Sequence, residues 1–346
     1  MQARRVSRDG EPKADPARGA AARSLQPHIG FDHAGQRFFR NAGAVVLDLD
    51  ERPAVLGEPG VKWESPKRPF VKGVEFPVKV ELTSSTTEEL PVWMAEPSAF
   101  TVNGKPLGKR SSGKLLLVAG AKLVLEYDLA PVLSEAVDAA REFKLGFADG
   151  KGGAEVAVAC MEAAPAGLKF LELPAEQLGQ YQVLLLTNRG AMRVELWPDA
   201  APNHVRNFLD LAYTKFYDGS LFHRVSPTFM IQGGDPNTKT DNQAGWGMGN
   251  GPRMLKAEFS KKRHEKGVLS MARGSDENSA SCQFFVMTGS APHLDGKYSA
   301  FGKLLDGLDT LDLIANAKGL VGADNTVRPR DPQKIVSATV IRTPSK

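Results

Sequence analysis

The apolar patterning of this chain changes once, near residue 180, and that change bounds the fold more tightly than any other feature. From about residue 40 to 165 apolar residues recur at every second position in short runs, the period of half-buried β-strands. FPVKVEL (76–82) sets Val78, Val80 and Leu82 on one face against Lys79 and Glu81 on the other. FTVNGKPL carries Asn103-Gly104, a strong signal for a two-residue hairpin turn. KLLLVAGAKLVLEYDL (114–129), EFKLGF (142–147) and EVAVAC (155–160) continue the series, and the 34 glycines and 23 prolines of the chain suit many turns. Several short strands at this spacing predict a β-sandwich, immunoglobulin-like, over 29–165. MEAAPAGLKFLELPAEQLGQ (161–180), rich in small residues and proline, reads as the boundary, with a linker at 166–177.

Beyond it strands and helices mix. Val183 and Leu185 alternate, Asn188-Arg189-Gly190 turns, and Met192, Val194 and Leu196 alternate again, so a hairpin opens the second unit, 178–346. Pro202 stands at a helix start before Val205, Phe208, Leu209 and Ala212, an i, i+3, i+4, i+7 stripe, and Gly219 follows as a breaker. A second helix is predicted from about Leu308 to Ala317, with Leu308, Leu311 and Ala315 aligned and Gly319 just past its end. Between the helices come LFHRV, FMIQGG, GVLSMA, CQFFVM and SAFGKL, and KIVSATVIR (334–342) closes the chain. The whole is mainly β, and about eight short strands with two amphipathic helices predict a closed antiparallel barrel with capped ends.

Charge and cysteine content narrow the function. Of the net charge of +4, three units lie in the first thirty residues, where Arg4, Arg5, Arg8, Lys13, Arg18 and Arg23 face Asp9, Glu11 and Asp15. A nearly neutral body argues against a nucleic-acid groove, and residues 1–28 read as a disordered basic tail. No run approaches the roughly eighteen apolar residues that a membrane span requires. Cys160 and Cys282 belong to no CxxC, and His28 and His33 lack a third ligand, so neither a disulfide framework nor a metal site is expected. Gly104 and Gly108-Lys109 resemble a phosphate loop, but the spacing is one residue short and Arg110 stands where Ser or Thr is needed; no cofactor is expected. Trp63 and Trp93 read as core or interface residues rather than a ligand cage. The N-terminus lacks the apolar stretch of a secretory signal, which favours a cytoplasmic protein, or an exported one if the true start lies upstream.

FHRVSPTFMIQGGDP (222–236) holds one arginine among Phe, Met and Val, with a glutamine as its nearest polar helper and no nucleophile. Together with GVLSMAR (267–273), CQFFVM (282–287) and LDGKYSAFGK (294–303), in that order, it resembles the signature set of the cyclophilins, peptidyl-prolyl cis–trans isomerases built on an eight-stranded barrel with two helices. The resemblance covers about residues 178–344 and says nothing of the first half. It implies that Arg224 is the catalytic arginine, with Gln232 and Phe285 beside it. It implies further that Phe229, Met230, Phe285 and Leu294 receive the proline ring, and that Gln232 and Gln283 hold substrate and arginine. Ala272 and the backbone of Arg273 would be the strand edge that pairs with the peptide.

The residues agree with such chemistry. Rotating an X-Pro bond breaks amide resonance against a barrier of ~18–20 kcal/mol, and the twisted prolyl nitrogen regains a lone pair that a fixed guanidinium can meet. His223 alternates to the opposite face and reads as structural; GWGMGNG (245–251) reads as a surface loop bordering the groove. Three positions depart from the best-known eukaryotic members: Arg273 replaces asparagine, Tyr298 replaces histidine, and His293 stands in place of tryptophan. Weak cyclosporin binding is therefore expected, with intact isomerase chemistry. The expected partners are proline-containing peptides and unfolded proteins. An alternative is a proline-peptide binding or chaperone module in which turnover is incidental; a third reading makes the first unit a docking domain that delivers the barrel to a partner the sequence does not name.

Overall fold

The computed structural model describes residues 60–64, 68–137, 142–148, 155–322 and 325–343, together with the backbone of 30–31 and 37–38. The basic segment 1–28 and both His28 and His33 lie outside the described residues.

In the first half, strands that pair antiparallel, apart from the parallel pair of Phe70–Val71 with Val156–Met161, fold around one apolar cluster that includes Phe70, Phe76, Phe100, Leu117 and Phe143. Lys122–Asp128, Pro77–Thr83 and Gly60–Glu64 form a three-stranded sheet in that order. Val78, Val80 and Leu82 are buried while Lys79 is exposed, so the alternation read in FPVKVEL sets the inward face. A second sheet joins Phe70–Val71, Val156–Met161, Glu142–Phe147, Phe100–Val102 and Lys105–Pro106. Its last hairpin turns at Asn103 and Gly104, whose φ angles of 49° and 77° are those of the mirror-image turn that suits strand twist. Glu88–Pro91 and Lys114–Leu117 make a separate ladder. Trp63 packs edge-on against Phe100, and Trp93 lies under the Arg110 guanidinium. A short helix, Ala130–Ala136, was not evident from periodicity.

In the second half we label β1 (Tyr181–Thr187), β2 (Gly190–Leu196), α1 (Pro202–Tyr213), β3 (Arg224–Val225), β4 (Met230–Gly233), β5 (Val268–Met271), β6 (Phe284–Met287), β7 (Ala300–Asp306), α2 (Leu308–Ala315), β8 (Gly319–Val321), β9 (Val327–Pro329) and β10 (Ile335–Arg342). The strands form one sheet in the order β8-β9-β3-β4-β6-β5-β7-β2-β1-β10, so there are ten where about eight were expected. The two additional strands are the β8–β9 hairpin, too short to show a period. Ahead of β3, the amides of Gly219 and Phe222 donate to Ile335 and Gln333, and Ile335 donates back to Ser220, which ties this segment to the start of β10.

α1 buries Val205, Phe208, Leu209 and Ala212 as its stripe predicts. In α2 the buried positions are Thr310, Leu311, Ile314 and Ala315, and Leu308 is exposed. The helix begins only at Leu308, straight after left-handed Gly307, so its first side chain stands clear of the sheet. Of LFHRV only Arg224–Val225 is strand.

The segment read as a linker lies against the second half. Phe170 is fully buried in that half's main core, edge-on to Tyr181 and Tyr213 with centroids at 5.1 and 5.3 Å. Leu178 is also buried, Arg206 Nε donates to Leu173 O at 3.0 Å, and Tyr213 Oη donates to Pro165 O at 2.8 Å. Apolar residues here were hidden by the prolines and glycines around them. Residues 162–164 then continue along the free edge of β10: Arg342 N donates to Glu162 O, and Ala164 N donates to Val340 O. A small cluster of Val71, Met161, Leu184 and Ile341 joins the halves, with cavities of about 420 and 430 Å³ nearby, lined from both.

Candidate active site

Strand register assembles the site. Arg224 lies opposite Gln232, Gln232 opposite Phe285, and Phe285 opposite Ser270, so one row crosses β3, β4, β6 and β5. Cross-strand partners share a face, and residues two apart along a strand join them. Met230, Phe285, Met287, Val268 and Ala300 therefore gather on one side with Leu294, and Phe229, Ala272 and Tyr298 pack against them. Their neighbours Ile231, Phe284, Val286, Leu269 and Phe301 point the other way into the main core. Phe284 and Phe285, adjacent in sequence, thus belong to different clusters.

Arg224 sits half-buried at the edge of the apolar face. Its Nη1 donates to Gln232 Oε1 at 3.0 Å and its Nε to Thr326 Oγ1 at 3.1 Å. Gln232 Nε2 donates in turn to Gln283 Oε1 at 3.0 Å, and Gln283 Nε2 donates to the carbonyls of Gly247 and Gly249 at 3.0 and 2.8 Å. This chain of bonds holds the guanidinium in one pose and fixes the amide orientations. It also places the glycine-rich 245–251 loop beside the site, where Met248, Asn250 and Met254 line a cavity of about 340 Å³ with Gln232, Ala272 and Gln283.

Ala272 and Arg273 continue β5 past Met271, and Ala272 N donates to Gln283 O at 2.9 Å. The Arg273 guanidinium lies 4.6 Å from the centre of the Tyr298 ring. Tyr298 is edge-on to Phe285 at 5.9 Å. His293 is exposed and stacked on Phe229, with centroids 6.0 Å apart. Arg224, Phe229, Met230, Gln232, Ala272, Arg273, Gln283, Phe285, His293, Leu294 and Tyr298 are thus on or beside one sheet face.

Four residues at this site escaped the sequence reading. Thr326 supports Arg224. Behind Phe285, His264 is buried and stacked on the ring at 6.2 Å; its Nδ1 is 3.0 Å from Asp295 Oδ1 and its Nε2 is 3.0 Å from Ser270 Oγ. Burial lowers the His264 pKa, with Asp295 opposing. The neutral ring therefore donates from Nδ1 to the carboxylate and accepts from the serine hydroxyl. The backbone and ring donors of His264 hold Asp295 below the usual carboxylate range. Only Ser270 had a local signal, the alternation of LSM that turns it away from Leu269 and Met271. His223, expected on the opposite face, is buried with its ring against Gly247 of the 245–251 loop, and desolvation pulls its pKa down to about 4.

A fixed guanidinium thus stands at the edge of a half-open apolar face. Comparison with known proteins gives the family. Residues 182–340 match the model of the cyclophilin type peptidyl-prolyl cis-trans isomerases. A probable peptidyl-prolyl cis-trans isomerase of Brucella suis is 39% identical over 166 residues, 46% of this chain and 81% of that protein. Peptidyl-prolyl cis-trans isomerase 10 of Caenorhabditis elegans is 37% identical over 163 residues, covering 47% of this chain and 96% of that one. The crystal structure of a Cryptosporidium parvum cyclophilin in the presence of the dipeptide Ala-Pro is 32% identical, covers 47% of this chain and 99% of that one, and has a TM-score of 0.41. The chain belongs to the cyclophilin-type peptidyl-prolyl cis-trans isomerases.

Proposed function

We propose that this isomerase turns X-Pro bonds over the face formed by Phe229, Met230, Phe285 and Leu294, with Arg224 as the donor to the twisting prolyl nitrogen. The observation that carries the reading is the Arg224–Gln232–Gln283 chain at the edge of that face. The proline ring packs against the apolar rings, which desolvates the amide. As the bond twists, the nitrogen pyramidalises and its lone pair turns toward the guanidinium. No proton moves and no covalent bond forms. Gln232 contributes by fixing Arg224, so the donor needs no reorganisation when the lone pair appears.

The magnitudes are consistent with one donor and one apolar clamp. Bringing a half-time of tens of seconds to about a millisecond needs on the order of 6 kcal/mol of preference for the twisted amide. A preorganised donor supplies roughly 3 kcal/mol, about a hundredfold, and exclusion of water over the ring supplies the remainder. Arg224→Ala is accordingly expected to lower kcat/KM for a proline tetrapeptide about a hundredfold while leaving the circular dichroism spectrum unchanged. Undiminished turnover in a folded variant would remove Arg224 from the mechanism.

Further parts of the proposal concern architecture and partners. The second half closes as a barrel through the 219–222 and 333–335 backbone bonds, and the first half is an immunoglobulin-like sandwich acting as a docking domain packed against it. Cyclosporin binds weakly, because His293 offers less apolar area than tryptophan and no indole donor.

A further inference from the structure

Leu294 and Tyr298, two walls of the apolar pocket, sit on one short loop whose middle residues Gly296 and Lys297 are exposed. Such a loop would splay unless fastened. Its first end is tied by His264, whose backbone N donates to Asp295 Oδ1 at 2.8 Å and whose ring meets the same oxygen. At its second end Arg273 reaches across from the strand edge. Its Nη2 donates to Lys297 O at 3.2 Å, and Nη1 donates to Gly274 O at 2.9 Å and Ser275 O at 3.3 Å. The same guanidinium covers the Tyr298 ring, which abuts Phe285. A planar fork that serves three carbonyls and an aromatic face at once is a geometry lysine cannot reproduce.

We propose that Arg273 is a positioning residue: it latches the 294–298 loop to the strand edge, sets the Tyr298 wall of the proline pocket, and thereby determines how tightly substrate is held. This rests on the isomerase reading given above and adds a residue whose side chain acts through Tyr298 rather than on the peptide. The interaction is the same whether the prolyl bond is planar or twisted. Its loss therefore weakens ground state and transition state alike and falls on KM, not on kcat.

The test is a double-mutant cycle in the full chain, read by peptide isomerisation kinetics and by amide hydrogen exchange. Arg273→Ala is expected to raise KM about tenfold with kcat within about twofold, Tyr298→Leu to do the same, and the double variant to be no worse than the poorer single one. Arg273→Lys, which keeps the charge but not the planar fork, should recover only part of the loss. Amides 297 and 298, which both donate to Leu294 O, should exchange at least tenfold faster in Arg273→Ala, while strand amide Phe285 stays protected. Losses that multiply in the double variant, or a fall in kcat at constant KM, would overturn the proposal. So would unchanged exchange at 297 and 298, and that readout holds even if wild-type turnover were absent, an outcome that would count against the isomerase reading alone.

Discussion

Phe170 offers the sharpest test of where the catalytic half begins. The ring is fully buried in the same core as Tyr181 and Phe208, though it lies within a segment whose composition reads as a linker. Truncating a buried phenylalanine to alanine costs about 3–5 kcal/mol, from lost transfer energy and the cavity left behind. Its edge-on contacts with Tyr181 and Tyr213 place it toward the upper end of that range. Whole domains are stable by only about 5–15 kcal/mol, so the loss is a large fraction of the total. Two fragments, 166–346 and 174–346, separate the effect, since only the longer one contains Phe170. With a urea slope of about 2 kcal/mol per molar, the shorter fragment should unfold roughly 1.5–2.5 M earlier. Phe170→Ala in the longer fragment should reproduce most of that shift. Peptide turnover in the folded region of the curve should match the full chain for both fragments, because the site lies on the other face of the sheet. Coincident urea midpoints for the two fragments would refute the reasoning and place the start of the domain after Phe170.

Two other outcomes follow from the site and its surroundings. Burial lowers the pKa of His223 to about 4 against about 6.5 unfolded, so its contribution to stability is fully present above pH 6.5 and drains away as pH falls toward 4, to a total of about 3 kcal/mol. His264, also lowered, acts in the same direction, and a His223→Gln variant should show a flatter fall in urea midpoint between pH 7 and 4.5; parallel curves would show that His223 is not the titrating group. His293→Trp should tighten cyclosporin inhibition of turnover measurably, and equal inhibition constants for the two proteins would show that this position does not govern drug binding.

Much of the second half was legible because its elements are long enough to show a period. α1 declares its buried stripe, and the alternation in FFVM and MIQG separates the residues that face the core from those that face the site. The placement of Arg224 among apolar residues was visible in a single run of fifteen residues. Asn103-Gly104 specified its hairpin because few dipeptides tolerate two positive φ angles. Leu308 misled: its spacing matches the stripe of α2, but the helix starts there and the side chain remains in solvent.

What the sequence alone determined is which residues share a face, since that follows from backbone geometry within a few positions of each residue. Only the tertiary structure decided which face meets which partner. Phe284 and Phe285 alternate in any strand, yet register across β4, β5 and β6 assigns one to the core and the other to the pocket. The His264–Asp295 tie, the Arg273–Lys297 latch and the Arg224–Thr326 bond join residues 31, 24 and 102 positions apart, on loops or strand ends that carry no period of their own. Phe170 was hidden for the same reason: its burial depends on a surface formed by Tyr181 and Tyr213, which exists only after β1 and α1 have packed.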